Sequence, residues 1–269
     1  MRLSIITINY NNRDGLQKTI DSVISQIWRD FEWIVIDGGS TDGSKELIEQ
    51  NKSYFAYWCS EPDNGIYNAM NKGIAKAQGE YLFFLNSGDC LHEKDTLSKV
   101  FCHQELADVV YGDVNRVSNY SSYIHYYPHK LTTHYLITDG LCHQATFIRA
   151  TLLKGYGYRE DLKQISDWYK TVEWFRQGKT FAHTGLIIAD YDMNGISSIA
   201  YDKSEEDILH ENIFGKENIR WVEESIEMQR MFDLYNNEDM QRAFRIKEYG
   251  GKKLKWMFHW MLRLLNKTF

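Results

Sequence analysis

The stretch "YLFFLNSGDCL" at residues 81–91 is an apolar run that stops at a polar turn carrying one carboxylate, Asp89. "VIDGGSTDGS" at 35–44 ends in the same way with Asp37 and Asp42, and "LSIITINYN" at 3–11 turns polar at Thr7, Asn9 and Tyr10. An ionised carboxylate only accepts hydrogen bonds, whereas an Asn amide donates and accepts, so such ends can read the N–H and hydroxyl groups of a ligand. The same residue types also make ordinary turns, because their side chains bond the local backbone and tolerate unusual dihedrals. A single end of this kind reads as a turn. Successive strand ends closing in Asp or Asn on a common rim point to a site.

Hydrophobic periodicity supplies the elements that would build that rim. Residues 3–11 and 31–37 begin as buried strands rich in β-branched residues. Between them, "GLQKTIDSVISQI" sets Leu16, Ile20, Val23, Ile24 and Ile27 at helical spacing. A short helix runs from Ser44 to about Gln50, and "YFAYWCSE" reads as a third strand. "GIYNAMNKGIAKAQG" (65–79) reads as a helix with Gly79 at its C-cap, followed by the fourth strand in "YLFFLNSGD". This alternation predicts right-handed βαβ units and a mostly parallel sheet covered on both faces. Ligands bind beyond the carboxyl ends of such strands. Thr7, Asn9, Tyr10, Asp37, Asp42, Asn86 and Asp89 all fall there.

The 269 residues suffice for one large domain or two small ones, and no Pro/Gly/Ser-rich linker or internal repeat divides them. A formal net charge of −6 argues against a general nucleic-acid binder. Cys59, Cys90, Cys102 and Cys142 show neither CxxC nor zinc-like spacing, and no signal peptide opens the chain. Reduced thiols in a cytoplasmic protein are expected. No apolar run reaches the roughly 20 residues of a membrane span.

Taken in order, "SIITINYN", "VIDGGSTDGS", "EPDNGIYNAMNKGIAKAQGEYLFFLNSGD", "CHQATFIR", "ISDW" and "NGIS" carry a resemblance over roughly residues 1–200. Their order and spacing resemble the family 2 glycosyltransferases of GT-A fold, in particular the bacterial branch that builds O-antigen, capsule and exopolysaccharide units. The resemblance implies an α/β fold with a Rossmann-like, mostly parallel mixed sheet flanked by helices. It implies an inverting transfer of a sugar from a nucleotide-sugar, expected to be a UDP-sugar, to a lipid-linked saccharide.

Carried onto this sequence, the resemblance places Thr7, Asn9 and Tyr10 in the nucleotide pocket. Asp37 would accept from the uracil or ribose, with Asp63 near the base. Asn71 and Lys72 would approach the phosphates, where an ammonium is a suitable partner. "LNSGD" stands where the family keeps its acidic metal motif, whose divalent cation (Mn²⁺ or Mg²⁺) offsets the diphosphate charge. Here Asn86 and Gly88 replace acids, so Asp89 alone offers a charged ligand, with Asn86 and Ser87 beside the donor. His143 and Gln144 would face the reaction centre from the acceptor side. Gly195 and Ser197, in "DYDMNGISS", would close over the diphosphate.

Inverting transfer also needs a base to take the proton of the attacking hydroxyl. The family carries an Asp opening a helix with a Gly eleven residues later, and Asp167 and Gly178 keep that spacing. The helix dipole alone would also favour an acid there. Ser166 and Glu173 depart from the usual residues, and Glu160 with Asp161 are read as structural. "VVYGDV" (109–114) reads as another strand ending in an acid. The Tyr- and His-rich stretch after it is expected to be an acceptor-facing loop or a surface hairpin. Its His125, His129 and His134, with His143, lack a zinc spacing.

From Ser204 the chain reads as helices, which sets a helical extension (204–269) apart from a catalytic domain over 1–203. The domain divides into a nucleotide-sugar half (1–100) and an acceptor half (101–203). In the last segment, Leu254, Met257, Phe258, Met261, Leu262 and Leu265 share one arc, opposite Lys252, Lys255, His259 and Arg263. This describes a helix lying on an anionic membrane surface, or else docked on protein. The expected location is the inner face of the cytoplasmic membrane, as a peripheral protein. A nucleotidyltransferase and a non-catalytic binding protein are the rival readings. The first would carry a more basic, Gly-rich first loop than "TINYNNRDG", and the second is supported by the thinned "NSGD".

Overall fold

A computed structural model describes residues 1–102, 106–194, 203–215 and 222. Its chain divides into two compact units, Met1–Ile213 and Phe214–Phe269. The terminal helix expected over 251–269, together with Gly195 and Ser197, lies outside the described residues.

The elements follow the predicted alternation. They are β1 (Leu3–Asn9), α1 (Arg13–Ile24), β2 (Phe31–Asp37), α2 (Ser44–Asn51), β3 (Tyr57–Ser60), α3 (Ile66–Lys76) and β4 (Tyr81–Phe84). Then come β5 (Cys90–Leu91), α4 (Thr96–Val100), β6 (Val109–Val117), β7 (Ser122–His125), α5 (Thr133–Thr138), β8 (Thr146–Arg149), α6 (Ser166–Arg176), β9 (Phe181–Asp192) and α7 (Lys203–Phe214). They form one mixed, nine-stranded sheet in the order β3-β2-β1-β4-β8-β6-β9-β5, with β7 on β6.

Strands β1 to β4 are all parallel, and their register aligns Asn9 with Asp37 and Asp37 with Ser60. Ser87 N donates to Ile8 O at 3.1 Å, which brings the turn after β4 level with the end of β1. The polar rim therefore follows from in-register parallel pairing. Beneath it, Ile6, Ile34, Ile36, Met70 and Phe84 pack as one core between sheet and α3. The second half joins through antiparallel pairing of β4 with β8, and β9 carries β5 antiparallel at the far edge.

Local expectations fail at three places. Helix α1 ends at Ile24, so Ile27 escapes the apolar face and is exposed. Gly79 is not the C-cap of α3, which ends at Lys76 with Ala77 extended. A Cβ on Gly79 would lie 2.5 Å from Ser4 N, so glycine there permits backbone to pass close against β1. Asp113 does not end a strand: β6 runs on to Val117, and Asp113 sits at an irregularity where it accepts from Tyr127 N and pairs with His183 Nε2. The Tyr-rich stretch beyond forms the β6–β7 hairpin, with Tyr120 and Tyr126 exposed.

The first unit extends past 203 because α7 is tied back to it. The Glu205 carboxylate accepts from Lys163 N at 2.6 Å and Gln164 N at 3.0 Å. Among the described residues, no helix is long and apolar enough to cross a membrane.

Candidate active site

A cleft of about 830 Å³ opens at the carboxyl edge of β1, β2 and β4. Asn9, Tyr10, Asp63, Asn86, Ser87, Asp89 and Gln144 line it, as the sequence predicts, together with Asp192 and Asn194 from the end of β9. Asp63 Oδ1 accepts from Gly65 N at 2.9 Å, and its carboxylate lies against Gly38.

Asp89 is delivered to the cleft wall but held tightly. Its Oδ1 accepts from Asp192 N at 2.9 Å and its Oδ2 from Gln144 Nε2 at 2.8 Å. Burial pushes its carboxyl up to about 6, with the nearby Asp192 charge adding to the effect and the two hydrogen bonds opposing it. The turn itself depends on Gly88, whose φ of +105° is strained for any residue with a side chain.

Asp192 is a site residue that the sequence reading misses. Cys90 pairs with Asp190 across the antiparallel β5–β9 ladder, which sets Asp192 level with Gly88. A Cβ on Gly88 would lie 3.4 Å from Asp192 Oδ2. Asp192 Oδ1 accepts from Asn194 N and Nδ2, while Oδ2 has no hydrogen-bond partner among the described residues. The Oδ1 of Asn86 is buried and has no partner among the described residues. Asp89, Asp192 and Asn86 thus line the cleft with oxygen ligands, the type a hard divalent cation takes. Among the described residues no three His, Cys, Asp or Glu side chains converge on a metal position, so ligand oxygens and water would complete any shell.

Asp167 lies in the first turn of α6 and is joined to both halves of the chain. Its Oδ1 accepts from Tyr67 Oη at 2.7 Å and from Trp168 N at 3.0 Å. Its Oδ2 lies 2.8 Å from His143 Nδ1, and His143 Nε2 lies 3.0 Å from Asn86 Nδ2. Burial would raise this carboxyl, yet His143 and then Tyr67 hold it below the ordinary carboxylate range. His143 and Gln144 are therefore brought to the centre, one on Asp167 and the other on Asp89.

Four predicted positions play other parts. Thr7 is fully buried, and its hydroxyl accepts from Trp33 Nε1 at 3.0 Å, so it faces the core. Asp37 is also fully buried and accepts from Asn9 Nδ2, Ser40 N, Ser40 Oγ and Ser60 Oγ. Those donors fill its lone pairs, making it the brace of the pocket floor instead of a ligand contact. Asn71 is spent on Tyr158 O and Glu160, and Lys72 on Glu61 at 2.8 Å and Pro62 O, so neither reaches the cleft. Glu160, Asp161 and Glu173 engage Asn71, Arg159 and Lys170 respectively.

The family profile described as "Glycosyl transferase family 2" matches residues 4–164, a stretch containing the whole rim and the His143–Gln144 pair. The chain belongs to this family. A PGL/p-HBAD biosynthesis glycosyltransferase of Mycobacterium bovis is 31% identical over 210 residues, covering 74% of this chain and 80% of that protein. An uncharacterised glycosyltransferase of Mycobacterium tuberculosis is 48% identical over 98 residues, covering 36% of this chain and only 37% of that relative's length. Among solved structures, Staphylococcus aureus TarS in complex with UDP-GlcNAc superposes with a TM-score of 0.63 at 20% identity, over 79% of this chain and 65% of that one. A Pyrobaculum calidifontis mannosyltransferase in complex with GDP-Man and Mn²⁺ gives 0.57 at 14% identity, over 96% of this chain and 83% of that one. These likenesses establish the α/β GT-A fold.

Proposed function

We propose that this family 2 chain transfers one sugar from a nucleotide-sugar, of the UDP type, to a lipid-linked saccharide in cell-surface polysaccharide synthesis, with inversion at the anomeric carbon. The observation that carries the reading is Asp167, a partly buried carboxylate kept ionised and linked through His143 and Asn86 to the wall of a nucleotide-sized cleft.

In this reading the base lies near Tyr10, and Asp63 accepts from its N–H. Asn9 and Ser87 meet the ribose side. The acceptor hydroxyl gives its proton to Asp167 as its oxygen bonds the anomeric carbon. The bond from that carbon to the diphosphate oxygen breaks at the same time, and the electron pair leaves with the diphosphate. Asp89 and Asp192, with Asn86 Oδ1, would hold a divalent cation (Mn²⁺ or Mg²⁺), which when bound offsets the leaving group's charge. Gly195 and Ser197 are proposed to close over the diphosphate.

A nucleotidyltransferase is disfavoured because no Lys or Arg lines the cleft among the described residues: Lys72 is paired to Glu61 instead. The basic amphipathic segment at 251–269 is assigned to an anionic membrane surface, which would keep the chain beside a polyprenyl-linked acceptor on the cytoplasmic face. Screening UDP- and GDP-sugars with Mn²⁺, by thermal shift and by release of the nucleoside diphosphate, tests the proposal. Stabilisation and turnover by one donor class are expected. No response from any donor would leave the non-catalytic rival standing.

A further inference from the structure

The Asp167 carboxyl lies below the ordinary range although its desolvation acts to raise it. A carboxylate that is ionised at neutral pH is free to accept a proton from an attacking hydroxyl.

The cause lies in what reaches Asp167 from neighbouring elements. Tyr67, from α3, is buried and directs its hydroxyl at Oδ1 from 2.7 Å. His143, from the loop before β8, meets Oδ2 through Nδ1 at 2.8 Å. The other ring nitrogen faces the Asn86 amide nitrogen at 3.0 Å, and since that group only donates, Nε2 accepts and the ring proton sits on Nδ1. Tyr158 and the Cys142 thiol also feel the Asp167 charge; burial pushes both well up, so they stay neutral. From its own helix Asp167 receives only Trp168 N, at 3.0 Å.

We infer that Tyr67 and His143 are positioning residues for Asp167, holding it charged and aimed, with Asn86 fixing the imidazole tautomer from the cleft wall. The inference rests on Asp167 being the base. The three recorded donors leave one lone-pair direction for the acceptor hydroxyl. Neither positioning residue lines the cleft, so donor affinity should not depend on them.

The test needs no ligand. In the full chain labelled with ¹³Cγ-aspartate, the Asp167 signal, assigned by its absence in Asp167→Asn, is followed against pH. Wild type should titrate below the ordinary aspartate value of 3.8. Tyr67→Phe and His143→Ala should each titrate about one unit higher, by loss of a hydrogen bond to the charged form. His143→Asn, whose amide can place an N–H near the Nδ1 position, should return most of the way to wild type. Far-UV circular dichroism confirms folding, and Tyr67→Phe, which removes one oxygen, keeps the test open if His143→Ala does not fold. An unshifted Asp167 titration in Tyr67→Phe and in the His143 variants overturns the inference. A shifted titration with undiminished nucleotide-sugar turnover by Asp167→Asn would keep the pairing and remove the base assignment.

Discussion

Asp192 stands level with Gly88 across the β5–β9 ladder, its Oδ2 3.4 Å from the point where a side chain at residue 88 would begin. The acid that "NSGD" lacks is thus offered by another strand. Asp192→Asn and Asp89→Asn should each weaken Mn²⁺ binding in the presence of UDP by about tenfold or more, for loss of one charged ligand. Asp190→Asn should not, because Asp190 is engaged by His92 and Asn115. Titration calorimetry separates these outcomes, and full affinity in Asp192→Asn would return the metal to Asp89 alone.

Gly88→Ala combines a left-handed φ of +105° with atoms of Asn12 and Asp192 within 3.3–3.4 Å of the new methyl. A loss of about 1–3 kcal/mol is expected from backbone strain. Urea unfolding measures it directly, and an unchanged midpoint would show that the turn relaxes freely.

Asp167→Asn should reduce sugar transfer by at least about 100-fold, the usual range for a general base. UDP binding should change little, since Asp167 is not a lining residue of the cleft. Parallel loss of both would point to a structural role only.

Asp42 ties the start of α2 to α1. Its carboxylate accepts from Ser44 N, Ser44 Oγ and Arg13 N. Burial acts to raise its carboxyl, but these donors together outweigh it and hold the group below its ordinary 3.8. A depressed carboxylate contributes stability above its unfolded value and loses it as pH falls. Asp42→Ala should therefore cost about 1 kcal/mol at pH 7. The difference from wild type should shrink progressively as pH falls below 3.8, as seen in paired urea melts.

Truncation after Gly250 should release the protein from vesicles of anionic lipid while leaving UDP binding intact. Unfolding of the truncated chain, or loss of a dimer, would assign that segment to protein contacts.

The rim was legible because strand ends are local signals and parallel strands in register bring them together. Roles along the rim were less legible. Thr7 and Asn9 look equivalent in a strand that is buried on both faces, and only the fold reveals that Thr7 meets Trp33. Asp37 occupies its expected place, but the same letter serves a floor brace and a ligand contact. Lys72 was misread because the pairing of a helix face with the Glu61 loop is tertiary. Asp192 could be found only through its pairing with residues 103 positions away, and short-range patterning carries no such register.

Tyr67 and Asn86 come from the first hundred residues of the chain, His143 and Asp167 from the remainder, and they meet as one hydrogen-bonded series. The consequence is one of assembly: the Asp167 carboxylate acquires its full set of donors only when both halves of the chain have folded together.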